Sequence, residues 1–313
     1  MRILFMGTAQ FAVPSLKILL SRSENIVGVF TQPDRPQGRG LKLKISPVKD
    51  LALSNQLLIF QPEKINQEES VKIIKQLKPE LIVVVSFGQI LSSRILSVPQ
   101  FGAINLHASL LPKYRGAAPI NWAILRGERE TGVTTILMDK GMDTGDILLQ
   151  KKVEILPHEN AGELHDRLAL IGAEVLSETI EKLKQGILTP QKQNESEASY
   201  APVLKKENGI IDWEKPADDI YNHIRGMNPW PGAFTFLSGK IFKIHRAKRI
   251  GDSAATKFLP GKVLDASEEG IIVATAKGLI ILTEVQLENH KRMSASLFLR
   301  GNPIPIGTRL GKE

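Results

Sequence analysis

The chain of 313 residues contains no cysteine. This excludes disulfides, thiolate metal sites and a cysteine nucleophile, and it suits a reducing compartment. No apolar run approaches the roughly 20 residues that cross a bilayer. The opening stretch, Met1 to Gly7, lacks a cleavage-site pattern and reads as a strand rather than a signal peptide. A cytoplasmic protein without a membrane partner is expected. Internal repeats and low-complexity tracts are also missing. Only Gly7 is present where G-x-G-x-x-G would be needed after the first strand, so a nicotinamide role is not expected. The glycine is expected to make a tight strand-to-helix turn.

What the chain has in excess is positive charge, 41 Lys and Arg against 33 Asp and Glu. The excess lies evenly on both sides of Lys205, with 25 basic and 21 acidic residues up to it and 16 and 12 after it. Net charge therefore singles out neither half, and local clusters must be weighed. One is Pro33 to Lys44, a basic stretch with Arg35, Arg39, Lys42 and Lys44 that reads as a mobile loop after the second strand. Its alternatives are a solvated surface loop and an anion contact. A second cluster is Lys240, Lys243, Arg246, Lys248 and Arg249, where strand alternation would set several cations on one face for a phosphate backbone.

Short apolar runs at Ile3–Met6, Ile26–Phe30, Leu57–Phe60, Leu81–Val85 and Ala103–Leu106 alternate with helical spacing at Val13–Leu20, Val48–Asn55 and Glu69–Leu77. This alternation predicts a Rossmann-like α/β domain with a mainly parallel, doubly wound sheet over residues 1–189. A long amphipathic helix from about Asn160 to Gln185 closes it. A polar stretch at 190–206 reads as a linker. Residues 207–313 open with a helix at Ala217–Gly226. They continue as glycine-punctuated strands at Ala233–Leu237, Ile241–Ala247, Gly261–Ala266, Gly270–Ala274 and Gly278–Val285. A smaller antiparallel β-barrel domain, OB-like and open, is expected there.

Doubly wound sheets bind ligands outside the carboxyl ends of their strands. Asn105 and His107 lie at such an end, two residues apart, so a strand points both side chains to one face. Asp143 stands between Gly141 and Gly145, where backbone can approach a ligand closely. An amide can donate to a developing oxyanion, an imidazole can carry a proton, and a carboxylate can orient and charge-stabilise the imidazole. None of the three is a nucleophile, so direct acyl transfer to an amine is expected. Asp139, Asp143 and Asp146 find no second histidine or further carboxylate, and no metal is expected.

Taken with Asn105-Leu106-His107 and Asp143, the segments Phe30–Pro36, Arg115–Ile120, Met142–Asp146 and Asn228–Pro231 resemble the folate-dependent formyltransferases over nearly the whole chain. Among them they resemble the branch acting on methionyl-tRNA. The resemblance implies 10-formyltetrahydrofolate as formyl donor and initiator methionyl-tRNA as acceptor. It further implies that Ser109, Leu110, Leu111 and Pro112 contribute to the folate site, and that Val85–Ile90, with Phe87, Gly88 and Ile90, lines the pterin pocket. Arg39 would recognise the acceptor end of the tRNA, with Lys42, Lys44, Lys243, Arg246 and Lys248 as further tRNA contacts. A monomer is expected. The chain departs from the family pattern at Thr8-Ala9-Gln10-Phe11 and at Val203. A formyltransferase acting on an amino sugar nucleotide is the nearest alternative, though it should lack the basic Pro33–Lys44 segment. A purine-pathway enzyme would not need residues 207–313. A non-catalytic RNA-binding protein is the alternative of another class.

Overall fold

The computed structural model describes residues 1–37, 42–250 and 257–311. They form two compact units. The first comprises Met1–Pro119, Thr131–Glu154 and His165–Ala201, and the second Ile120–Glu130, Ile155–Leu164 and Pro202–Glu313.

The first unit is built on β1 (Arg2–Gly7), β2 (Asn25–Phe30), β3 (Ile59–Phe60), β4 (Leu81–Val85), β5 (Ala103–His107), β6 (Glu130–Leu137) and β7 (Asp146–Glu154). Their order across the sheet is β7-β6-β5-β4-β1-β2-β3. Pairings from β5 through β3 are parallel, and β6 runs antiparallel to β5. All five residues of β4 are buried, as a parallel strand covered on both faces requires. Leu4, Met6, Phe30, Ile74, Ile82 and Val84 share one core with α3 (Glu68–Leu77), each such side chain contributing roughly 1.5–3 kcal/mol on burial. Two earlier helices, α1 (Val13–Ser21) and α2 (Pro47–Ser54), follow β1 and β2. Ser46 caps α2 by accepting from the Lys49 amide at 3.1 Å, with Pro47 at its first position. A fourth helix, α4 (Ala161–Lys184), matches the expected amphipathic segment.

Strands β6 and β7 were not expected from the sequence. Three threonines and a glycine interrupt the apolar pattern of β6, and Gln150-Lys151-Lys152 ends the apolar part of β7. The basic segment, expected as a mobile loop, has paired arms: Arg35–Gln37 and Lys42–Lys44 form an antiparallel ladder. The polar stretch expected as a linker is tied to the first unit as far as Ala201. Gln191 exchanges backbone hydrogen bonds with Ile147, and Tyr200–Ala201 pairs in parallel with Arg115–Gly116.

In the second unit, α5 (Ala217–Gly226) precedes β8 (Ala233–Leu237), β9 (Lys240–Ile250), β10 (Val263–Ser267), β11 (Gly270–Ala274), β12 (Leu279–Leu287) and β13 (Met293–Ser294); α6 (Ala295–Gly301) follows. The antiparallel sheet runs β8-β9-β12-β11-β10, with β13 added to β12. Phe242, Ile244, Val263, Ile271, Val273, Ile280, Leu282 and Val285 form its buried side. Among the described residues β8 and β10 do not pair, so the sheet does not close into a barrel. Other segments occupy those edges. Ile210 bridges to Phe234, while residues 307–311 bond to Gly261 and Val263 on one side and to Phe236 on the other.

Between β1 and β4 the chain reverses its direction of travel across the sheet, and Gly7 sits there opposite Val85. A Cβ on Gly7 would lie 2.7 Å from the Phe5 ring, 3.0 Å from Ala12 Cβ and 3.0 Å from the Val85 carbonyl oxygen. Gly7→Ala should therefore lower stability by about 1–3 kcal/mol through overpacking, read as a lower urea midpoint. An unchanged midpoint would mean this crossing has slack.

The chain leaving β2 is anchored by Asp34, whose carboxylate accepts from Lys49 and, at 2.9 Å, from Gln61. These two hydrogen bonds hold Asp34 below the usual carboxylate range. A depressed carboxylate stabilises the fold above its unfolded value and loses that contribution as pH falls through its folded one. Wild type should thus lose stability relative to Asp34→Asn as pH falls below about 4, measured by thermal melts from neutral to acid pH. Parallel curves for the two proteins would refute it.

Candidate active site

β5 is an interior strand, and Asn105 is registered between Val84 of β4 and Ile136 of β6. Both neighbours fix its backbone, and the two-residue period sends the Asn105 and His107 side chains out of the same face. There they meet Asp143, which arrives on the turn between β6 and β7. The Asn105 amide donates to Asp143 Oδ1 at 3.4 Å. His107 Nδ1 lies 3.6 Å from Asp143 Oδ2, a charge-pairing distance longer than a hydrogen bond. Asn105, His107 and Asp143 therefore converge.

The imidazole is oriented by a group that carries no sequence signature. His107 Nε2 lies 2.9 Å from the Tyr114 carbonyl oxygen. A carbonyl only accepts, so Nε2 carries the proton and Nδ1, facing Asp143, is the basic nitrogen of the neutral ring. His107 is only 6% exposed, so this bond is little weakened by water. The Tyr114 carbonyl thus holds the ring on one side, and Asp143 lies on the other.

Asp143 itself adopts left-handed backbone geometry, with φ of 56°, a conformation that costs on the order of 1–3 kcal/mol and persists only where the surroundings impose it. Those surroundings are specific. The Gly116 amide donates to Asp143 Oδ2 at 2.9 Å. Gly116 has φ of +119°, and a Cβ there would fall 2.8 Å from the Ala201 carbonyl oxygen. Gly145 passes so close to β6 that a Cβ would lie 2.0 Å from the Leu137 carbonyl oxygen. Asp139 closes the same turn by accepting from the Gly141 amide at 2.9 Å and the Thr144 hydroxyl at 2.7 Å. Among the described residues no group of three His, Asp or Glu is placed to hold a metal.

The segment after β4 is pinned across the sheet's reversal point. The Phe87 carbonyl accepts from the Thr8 hydroxyl at 3.0 Å and from the Gln32 amide at 3.2 Å. Gln89 Oε1 accepts from the Ile65 backbone at 2.7 Å, and Asn66 donates to the Ile90 carbonyl at 2.9 Å. Phe87 is buried, whereas Gly88 and Ile90 are exposed. In the next loop Ser109 is fully buried and donates to the Lys113 carbonyl at 2.6 Å, while Thr134 donates to the Ser109 carbonyl at 2.6 Å. Leu111 is buried, and Leu110 and Pro112 are partly so. Ser109 and Leu111 shape the loop from within, and Leu110 and Pro112 form its accessible part.

Arg39 lies outside the described residues, and Lys42 is described only as part of the Lys42–Lys44 arm. Lys44 is exposed. In the second unit Lys243, Arg246 and Lys248 are all exposed on β9. Arg246 is engaged within its own unit, 2.7 Å from Glu163 and 3.7 Å from Glu284. Arg246 and Lys248 line a cleft of about 610 Å³ together with His158, Tyr221, Arg225 and Arg249. The Tyr221 ring has the Arg225 and Arg249 guanidinium groups 5.7 Å and 5.4 Å from its centre. Arg249 also pairs with Asp218 at 2.7 Å.

The formyl transferase family pattern matches residues 1–180, and the formyl transferase C-terminal domain pattern matches residues 203–303. A methionyl-tRNA formyltransferase of Trichlorobacter lovleyi is 52% identical over 309 residues, covering 99% of this chain and 96% of that protein. Two solved structures share the fold. HypX from Aquifex aeolicus, solved with tetrahydrofolic acid, matches with a TM-score of 0.63 at 20% identity; 96% of this chain is covered but only 47% of HypX, so the chain spans about half its length. An N-formyltransferase from Helicobacter canadensis, solved with folinic acid and dTDP-3-aminofucose, matches with a TM-score of 0.66 at 21% identity, covering 90% of this chain and 98% of that one. Identity of about one half from end to end, with both domain patterns in order, makes the chain a member of the methionyl-tRNA formyltransferase family.

Proposed function

We propose that the chain transfers a formyl group from 10-formyltetrahydrofolate to the free α-amine of initiator methionyl-tRNA, by direct attack and without a covalent enzyme intermediate. The observation that carries this reading is the convergence of Asn105, His107 and Asp143 in a chain 52% identical, end to end, to a methionyl-tRNA formyltransferase. No thiol exists to form an acyl-enzyme, and none of the three side chains is a nucleophile suited to one.

Asn105 has a second amide N–H to donate to the formyl oxygen as the amine attacks and charge builds on that oxygen. His107 Nδ1 accepts the proton that the amine loses and passes it to the departing folate nitrogen. While the proton rests there, both ring nitrogens are donors, one bonded to the Tyr114 carbonyl and the other beside the Asp143 carboxylate. Folate would lie against Phe87, Gly88 and Ile90 and against the Ser109–Pro112 loop. Exposed Ile90 and the pinned backbone of this segment suit a flat ring with polar edges.

In the same reading, residues 1–189 bind folate and carry out the chemistry, 190–206 lead onward, and 207–313 bind tRNA. Arg39, Lys42 and Lys44 contact the acceptor end, and Lys243, Arg246 and Lys248 the phosphate backbone. The register shifts in β9 and β10 are devices that curl a sheet, and the 307–311 segment bonds to both of its edges, in keeping with an OB-like barrel. The protein would act as a cytoplasmic monomer without a metal. A second reading, transfer to an amino sugar nucleotide, draws on the fold shared with the Helicobacter canadensis enzyme.

The deciding experiment offers formyl donor with initiator methionyl-tRNA, elongator methionyl-tRNA and an amino sugar nucleotide. Formylation of the initiator species is expected, and product on the sugar alone would overturn the proposal. Asn105→Ala should lower kcat by about 10²–10³-fold and His107→Ala by about 10²–10⁴-fold, with tRNA affinity near normal. Near-wild-type turnover in either would remove that residue from the mechanism. Arg39→Ala should raise KM for tRNA and leave KM for the folate unchanged, and an unaltered tRNA dependence would exclude its role.

A further inference from the structure

The Asp143 turn is held by a residue in the stretch whose composition reads as a linker. Gln193 donates both amide hydrogens to main-chain carbonyls of that turn, to Asp143 at 2.7 Å and to Gly145 at 2.8 Å. Its oxygen accepts from Arg115 Nη2 at 2.7 Å and Nε at 3.1 Å. Arg115 is only 1% exposed and is itself gripped from outside by Glu195, with Nη1 to Oε2 at 2.8 Å and Nη2 to Oε1 at 2.7 Å. This bidentate pairing raises the arginine's pKa and lowers that of the carboxylate.

Two consecutive residues therefore reach Asp143 by different routes. The Gly116 backbone binds its carboxylate, while the Arg115 side chain, through Gln193, binds its backbone. Its left-handed φ of 56° is sparsely populated by side-chain-bearing residues, though aspartate tolerates it better than most, and these contacts select it here. A carboxylate on a free turn would sample positions away from His107 Nδ1. We propose that Gln193 is a positioning residue for formyl transfer. Backed by Arg115 and Glu195, it fixes the Asp143 backbone so that the carboxylate stays beside the imidazole. This rests on the proposed reaction.

The test compares two substitutions. Gln193→Met removes every polar contact. Gln193→Glu retains an acceptor for Arg115 and replaces the two donated hydrogen bonds by a carboxylate oxygen facing the same two carbonyls. Single-turnover formyl transfer to initiator methionyl-tRNA should slow about tenfold in both, with KM for folate and for tRNA within about twofold of wild type. In an Asp143→Ala background neither substitution should slow the reaction further, since the residue through which Gln193 acts is gone. Peptides spanning 141–146 should also exchange backbone hydrogen faster in both single variants, with thermal midpoints confirming that the chains are folded.

A wild-type rate in Gln193→Glu would overturn the proposal, as would an equal slowing with and without Asp143. Failure of the underlying reading looks different, because wild type would then make no formyl-methionyl-tRNA. Hydrogen exchange alone would decide in that case, and unchanged protection of 141–146 in Gln193→Glu would overturn the clamp.

Discussion

The candidate site depends on one unfavourable backbone conformation being held in place. Asp143 sits in the left-handed region, and in the proposed reaction its carboxylate serves only while it faces Asn105 and His107. It is held from within the turn by Asp139 and from outside it by the Gly116 amide, the Gln193 side chain and the buried Arg115 behind it. A flexible turn with the same side chain would present a carboxylate to solvent. The antiparallel edge of the sheet serves the same end, since β6 and β7 deliver the turn between them to the end of β5.

The division of labour at the imidazole follows from hydrogen-bond valence. A neutral ring has one donor, and the Tyr114 carbonyl takes it. Asp143 stands on the other side of the ring, its Oδ2 3.6 Å from Nδ1. Sequence reasoning names Asp143 alone as the ring's partner, and the fold adds the Tyr114 carbonyl. Tyr114 also adopts a positive φ, of 62°, so the loop bearing the carbonyl shares the left-handed geometry of the turn bearing the carboxylate.

How much of this was legible in the sequence depended on whether the signal was local. The spacing of Asn105 and His107 at a strand end announces a shared face, and the glycines around Asp143 announce a close approach. The parallel core strands are legible because burial on both faces leaves continuous apolar runs such as Leu81–Val85. Strands β6 and β7 escaped because threonine and lysine dilute their pattern. Tyr114 escaped because its contribution is a carbonyl that every residue type carries. Gln193 and Glu195 escaped for a different reason. A polar segment that pairs across about 50 to 80 residues of sequence looks, by composition, like one that pairs with nothing. Arg246 shows the converse, since its charge reads as free in sequence but is matched by Glu163 and Glu284.

The bond from His107 to Tyr114 also gives the site a handedness. With Nε2 turned toward a main-chain oxygen inside the protein, the ring has a closed edge and a working edge. The working edge is the one it shares with Asp143. In the proposed reaction, any proton relayed by this imidazole arrives and leaves at the same atom, so donor and acceptor have to converge on a single point in space. That requirement lies in the backbone of one loop, and it selects among approach trajectories before either substrate has contributed a contact of its own.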